Sequence, residues 1–240
     1  MERVDREKIE KSKEVIVEAF RRFSNPAVVV SVGKDSMVML DLVLRYGDRE
    51  PIVYGFYDPI PIDEELTLSF AKEVIEHYGL RRVVWYHEVA KPYLEKVREP
   101  GLNKVECCNT LKVKPLNDFI EKYKVDALFV GIRRDEHPER AKESYFSKRK
   151  NHWRVHPILH FTWLDVWLYI KEFKVPINPL YLKGYVSIGC KPCTKIVRPE
   201  GFRSIDEIIE FVKSGRVRER ESRDREKELS MNRLRALGYF

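Results

Sequence analysis

Ala27-Val28-Val29-Val30-Ser31-Val32-Gly33-Lys34-Asp35-Ser36-Met37 is the stretch on which the reading of this chain turns. It opens as a short unbroken apolar, β-branched run, the pattern of a parallel strand buried on both faces. An amphipathic helix pattern from Met37 to Arg45 follows at once, closed by Tyr46-Gly47. Ser31 to Ser36 therefore joins the carboxyl end of a buried strand to a helix N-terminus. Backbone N–H groups there carry partial positive charge and favour an anion. Gly33 permits close approach, Lys34 adds a full charge, and Ser31 and Ser36 add hydroxyls, with Ser36 also placed to cap the helix.

The alternation extends in both directions. Asp5 to Phe23 reads as a helix with Ile9, Val15, Ile16, Ala19 and Phe20 mostly on one face, broken by Asn25-Pro26. Downstream, Pro51 to Phe56 is strand-like and Asp63 to Tyr78 helical with Gly79 as its C-cap. Arg82 to Tyr86 is strand-like, Val113 to Tyr123 helical, and Asp126 to Val130 strand-like up to Gly131. This order predicts an α/β fold, a doubly wound parallel sheet with right-handed crossovers, whose ligands bind beyond the carboxyl ends of the strands. After about residue 150 the pattern changes. Thr162 to Phe173 is a helix rich in Trp and Leu, and Ile205 to Lys213 and Arg216 to Leu237 are polar helices. A division into an α/β domain at residues 1–152 and a helical C-terminal region at 153–240 is expected.

Lys plus Arg exceed Asp plus Glu by 45 to 38, a net charge of +7 in 240 residues, which suits anionic partners without choosing among them. No apolar run is long enough for a membrane span, and the first residues lack an apolar signal core, so a cytoplasmic protein is expected. The absence of glutamine beside abundant Glu, Lys and Arg fits a heat-adapted source.

Ser31 to Ser36 resembles the Ser-Gly-Gly-Lys-Asp-Ser loop of the ATP-pyrophosphatase (PP-loop) superfamily of adenine nucleotide alpha-hydrolase-like proteins, with Val32 in place of a glycine. The Walker spacing is absent. The resemblance narrows on Cys107-Cys108 with Lys112, Pro115 and Leu116, on Gly131-Ile132-Arg133-Arg134-Asp135 with Arg140, and on Gly184 to Thr194 containing Cys190 and Cys193. These are similar to segments of the phosphoadenylyl-sulfate and adenylyl-sulfate reductases. Other stretches resemble the small subunit of sulfate adenylyltransferase: Arg140-Ala141-Lys142-Glu143, Trp163 to Tyr181, and the tail Ser222-Arg223, Ser230-Met231 and Gly238-Tyr239-Phe240.

The resemblance implies an adenine-nucleotide site at Ser31, Gly33, Lys34, Asp35, Ser36, Asp58, Gly131, Arg133, Arg134, Asp135 and Arg140, with Lys34, Arg133 and Arg134 carrying the chemistry. The arginines suit oxyanions by bidentate donation, and Asp35 and Asp58 suit Mg²⁺ or ribose. The reductases that use adenylyl sulfate hold a [4Fe–4S] cluster on such cysteines, so Cys107, Cys108, Cys190 and Cys193 are expected to ligate one. Two disulfides, a Cys₄ zinc site and buried thiols are the alternatives. An adjacent cysteine pair suits separate irons of a cube better than one tetrahedral ion.

The nucleophilic cysteine that sulfonucleotide reductases carry near the C-terminus has no counterpart here: all four cysteines fall in the two pairs. AMP-forming chemistry on ATP with Mg²⁺ is therefore the first expectation, with adenylyl transfer to sulfate or a related acceptor. Reduction of adenylyl sulfate or phosphoadenylyl sulfate with a thiol from elsewhere is the second. A non-catalytic sulfur-transfer module is the third. A protein thiol donor, a GTPase-like subunit or a second copy would be the partner. The mixed charges from Arg216 to Glu226 read as a solvated, ion-paired face, not a nucleic-acid stripe. His152, His156 and His160 read as structural or ligand-contacting, because Pro157 breaks any shared helical face.

Overall fold

A computed structural model describes residues 2–56, 58–94 and 103–240. The strands are β1 (Pro26–Val30), β2 (Ile52–Gly55), β3 (Val83–Trp85), β4 (Ala127–Phe129), β5 (Phe146–Lys148) and β6 (Trp153–Val155). They form one sheet in the order β3-β2-β1-β4-β6-β5, parallel throughout except for the antiparallel edge strand β5. Val28 sits opposite both Val53 and Phe129, in the middle of the sheet. Burial on both faces explains the unbroken Val run: Val28 and Val30 enter one core cluster, Ala27 and Val29 the other.

Helices cover both faces. Those named in the order of the chain are α1 (Arg6–Arg22), α2 (Lys34–Tyr46), α3 (Glu64–Tyr78), α4 (Tyr86–Leu94), α5 (Lys104–Cys108), α6 (Lys114–Lys122), α7 (Pro138–Ala141), α8 (Trp163–Phe173), α9 (Ile205–Lys213), α10 (Arg225–Leu229) and α11 (Met231–Ala236). The larger core joins α1, α2, α3, α8 and α9 to one face; α4 and α6 cover the other. The caps match their sequence signals. The Asp63 carboxylate accepts from Leu66 N, Gly79 ends α3 in the left-handed region, and Thr162 forms a reciprocal cap with Asp165 on α8.

Three features depart from the sequence reading. Tyr86 does not end β3 but begins α4. The line at 152/153 runs through the β5–β6 hairpin, and β6 pairs with β4 inside the sheet. The last polar segment is not one helix: a 3₁₀ turn at Glu219–Ser222 precedes α10 and α11, because Glu219 and Ser222 turn inward.

The three histidines flank β6: His152 precedes it, and His156 and His160 follow it. Burial is the main force pushing His152 down to about 4 and His156 to about 3, and it also lowers His160. They are neutral packing residues with hydrogen bonds to the chain, not a metal face; His156 Nδ1 meets Val130 O at 3.3 Å and His160 Nε2 meets Lys8 O at 2.8 Å.

Candidate functional site: the crevice between β1 and β4

The chain leaves β1 toward β2 and β3 on one side and later returns to β4 on the other. The strand order thus reverses at β1/β4, the place where open α/β sheets bind ligands. Ser31 to Ser36 and Gly131 to Asp135 leave these two strands side by side. Their contact is close: a Cβ on Gly131 would lie 2.8 Å from Asp35 O and 3.1 Å from Ser36 N. Gly131 is needed for this approach of two backbones.

Gly33 is the extended N-cap of α2 and makes no side-chain cap. Ser36 does not cap the helix but closes the loop: its hydroxyl donates to Gly33 O at 2.8 Å and accepts from Ser31 N at 3.2 Å. Lys34 N donates to Tyr181 Oη at 2.8 Å. Val32, where the resembling loops have glycine, has φ 51°, and Phe56 just beyond β2 has φ 61°. Both are fully enclosed, so two bulky residues hold a left-handed conformation at neighbouring strand tips.

The two principal expected cations are engaged by protein. Lys34 Nζ pairs with Asp35 at 2.7 Å and with Glu219. Arg133 pairs with Asp35 and Glu219, and its Nε donates to Asp135 at 2.9 Å. Both side chains are buried, beneath the loop rather than on the cavity wall. Arg134 points elsewhere. It is exposed, with its guanidinium 5.2 Å over the Tyr145 ring, outside the crevice. Arg140 pairs with Glu136, and Arg220 pairs with Glu228 at 2.7 Å and Glu136 at 3.5 Å. Burial opposes ionisation of Glu136, but Arg140, Arg133, Arg220 and Lys34 hold its carboxyl far below the usual range.

Oxygens of Asp35, Glu136 and Glu219 come within 4.8 Å of one another. The set does not fit a resident Mg²⁺, because Lys34, Arg133 and Arg140 already occupy these carboxylates.

The crevice encloses about 210 Å³. One wall is apolar, from Val29, Tyr54, Leu116 and Val130. The polar end carries Lys112, Arg140, Arg220 and Arg223, with Tyr239 and Phe240 of the tail beside them. The Nε atoms of Arg140 and Arg223 and the hydroxyl of Tyr54 are buried without a hydrogen-bond partner among the described residues. Arg223 enters by passing Gly189, where a Cβ would lie 2.3 Å from its guanidinium. Asp58 sits on this wall too, paired with Lys112 at 2.6 Å. Burial works against ionisation of Asp58, but Lys112 outweighs it and keeps the carboxyl below its ordinary value.

All four cysteines are free and line a second, smaller cavity of about 80 Å³, with Lys104, Lys112 and Lys227 around it. Cys107 and Cys108 end α5, directly before a π-helical stretch at Asn109–Val113; such bulges recur at functional sites. The two cavities share a wall. Lys112 lines both, and Cys190 Sγ lies 3.8 Å from Asp58. Tyr239 joins that wall through its hydroxyl, 2.9 Å from Lys227 Nζ. Burial alone would raise its phenol, but Lys112 and Lys227 bring it below the usual value.

A phosphoadenosine phosphosulfate reductase domain matches residues 25–196, more than half of the chain. The chain belongs to this family. An adenosine 5'-phosphosulfate reductase of Oceanobacillus iheyensis is 32% identical, covering 70% of each protein. Subunit 2 of a sulfate adenylyltransferase from Maricaulis maris is 28% identical, and there the match covers 95% of each. The fold is that of a phosphoadenylyl-sulfate reductase from Candida auris, at a TM-score of 0.57 and 20% identity, over 78% of this chain and 96% of that one. An FMN adenylyltransferase of Candida glabrata superposes at 0.59 with 18% identity, over 79% and 65%. The resemblance stated from the motifs holds: this is an enzyme of the phosphoadenosine phosphosulfate reductase family, tied to sulfur metabolism. Among the described residues no helix is long and apolar enough to cross a membrane.

Ser31, Gly33, Asp35, Ser36, Asp58, Gly131 and Arg140 are brought together on the crevice. Lys34 and Arg133 stand behind it, Asp135 holds Arg133, and Arg134 faces away. Sequence reasoning gave Glu219 no role of its own, named Lys112 only as part of the cysteine-pair segment, and read Arg220 and Arg223 as surface charges. The Ser222-Arg223 and Gly238-Tyr239-Phe240 resemblance was the available signal for the tail. Glu219 had none, because alternating signs hide one inward-turned carboxylate.

Proposed function

We propose that the crevice carries out AMP-forming adenylyl transfer from ATP to a small oxyanion of the sulfate type. The observation that carries this reading is the separation of chemistry between the cavities. The crevice wall holds Lys112, Arg140, Arg220 and Arg223 and no thiol, while the four cysteines gather in the adjoining cavity. An oxyanion oxygen bonds to the α-phosphorus as the bond to the leaving pyrophosphate breaks, and pyrophosphate departs with the electron pair. No protein nucleophile is required; positioning and charge stabilisation suffice. The adenylyltransferase relative matches 95% of the chain, and this supports the same reading.

In this reading the backbone of Gly33 to Ser36 receives the phosphates, with Lys34 and Arg133 beneath it. Arg140 and Arg223 offer their unpaired Nε atoms to the oxyanion and the α-phosphate. Mg²⁺ arrives with ATP. The donor set of the second cavity fits a [4Fe–4S] cluster: four free thiols face one space, and three lysines offset the negative charge of a thiolate-bound cluster. Cys107, Cys108, Cys190 and Cys193 would hold it, and it would supply a redox-active centre across the shared wall.

The four-cysteine cavity beside the crevice favours a second reading, reduction of adenylyl sulfate. An outside thiolate would attack the sulfate sulfur and release AMP, and a second thiol would cleave the new S–S bond to free sulfite. The test is to incubate anaerobically purified protein with ATP, Mg²⁺ and sulfate, selenate or molybdate. Oxyanion-dependent pyrophosphate is expected. No pyrophosphate with any acceptor rejects the first reading, and sulfite from adenylyl sulfate with a dithiol establishes the second.

A further inference from the structure

Glu219 is the unusual member of the network under the loop. Asp135 is a chain neighbour of Arg133, and Asp35 is a neighbour of Lys34 that also meets Arg133 across the β1/β4 junction, but Glu219 reaches Lys34 from 185 residues away and Arg133 from 86, from a segment that belongs to neither loop. It rides on the 3₁₀ turn Glu219–Ser222, preceded by an exposed stretch from Lys213 to Arg216. Its carboxylate is 6% exposed. Burial opposes its charge, and Arg133 and Lys34 outweigh that and hold it ionised. The two cations that stand beneath the phosphate-receiving loop are therefore joined twice, by Asp35 of the loop itself and by an anion brought in from a distant segment.

We infer that Glu219 is the specificity-determining residue of the nucleotide site, its carboxylate holding the anion position between Lys34 and Arg133 until a polyphosphate takes its place. This rests on the reading of Ser31 to Ser36 as the phosphate site. Without Glu219 the Asp35 carboxylate would have to serve both buried cations, with Asp135 beside Arg133 alone, so Glu219 leaves when a ligand brings comparable negative charge to the same spot. The β- and γ-phosphates of ATP do so; AMP, with one phosphate, does not. The structure holds space for the exchange. Beyond Glu219 lies an open outer cavity of about 710 Å³, and Glu136 and Arg220 line both it and the crevice. Arg134 and Arg218 on its walls are exposed cations able to receive the displaced carboxylate. Arg134, unused in the crevice, acquires a place here.

The exchange predicts an inverted mutational response. Removing a carboxylate that positions a binding lysine weakens binding, whereas removing one that competes with the ligand strengthens it. Calorimetry in EDTA with pyrophosphate, ATP and AMP separates the two. Glu219→Gln is expected to bind pyrophosphate and ATP at least ten-fold tighter than the wild type, with AMP changed less than two-fold. Unchanged or weaker ATP binding by a folded Glu219→Gln overturns the inference, as does equal tightening for AMP. Wild-type protein that binds neither ATP nor pyrophosphate overturns the phosphate-site reading itself. A second measurement needs no variant. Saturating ATP should speed tryptic cleavage of the wild type after Arg216 and Arg218 several-fold, while AMP leaves it unchanged. Protection of that segment by ATP overturns the displacement.

Discussion

Gly131→Ala tests whether the β4 turn and the loop after β1 act as one site. The φ of Gly131 is not positive, so alanine meets no backbone restriction there. Only the new methyl matters. It would stand 2.8 Å from Asp35 O, where ordinary contact begins near 3.4 Å, so the two backbones must separate by about 0.6 Å. The neighbour is main chain at the first turn of α2 and cannot swing aside as a side chain would. Overpacking of this kind costs about 1–3 kcal/mol of stability. The larger effect falls on binding, because the displaced atoms are those that carry the helix N-terminus toward the ligand. A loss of about 1.4–2.8 kcal/mol corresponds to a ten- to hundred-fold weaker ATP dissociation constant. Calorimetric titration of ATP, paired with a urea melt to separate folding from binding, provides the readout. A folded Gly131→Ala chain with wild-type ATP affinity would refute the assignment of this junction to the ligand site.

Lys112→Met should destabilise the chain by about 3–5 kcal/mol in urea denaturation, because it leaves the Asp58 carboxylate buried without its partner. Asp58→Asn in the same background should recover part of that loss. Cys190→Ser should abolish bound iron and its visible charge-transfer absorption while leaving ATP affinity within a few-fold. Unaltered iron content would remove Cys190 from the ligand set. Stability should fall on acidification below pH 6.5, because His156 takes up protons at 6.5 when unfolded but only near 3 when folded. The unfolded chain then binds more protons between those values, so the stabilisation present above pH 6.5 is lost progressively toward pH 3. The loss reaches at most about 1.4 kcal/mol for this group at pH 5.5. His156→Gln should flatten that part of a urea-melt series taken from pH 7.5 to 5.

The strand–helix alternation was legible because central parallel strands are apolar on both faces and α1, α3 and α8 carry their own caps. β5 and β6 were not. Phe146-Ser147-Lys148 and Trp153-Arg154-Val155 are three residues each, and Arg154 is buried where a pattern reader expects an exposed charge. Its Nε donates to the nearby His152, and its terminal nitrogen donates to Gly238 O, a partner that only the folded chain brings near. The position of the site was legible for a similar reason: loops after β1 and β4 must meet wherever the sheet reverses. The division of labour among its cations was not. Arg133 and Arg134 are equivalent letters in sequence, yet one is enclosed by three carboxylates and the other lies on Tyr145. Local spacing carries no trace of Glu219, whose effect depends on a fold that brings residue 219 to residue 34.

Val32 and Phe56 bear on how the enzyme meets its substrate. Two bulky residues locked into a disfavoured twist at adjoining strand ends cannot relax singly, since each is wedged into hydrophobic surroundings. The loop between them is therefore held in one shape, and a ligand that settled there would find little chain entropy left to consume.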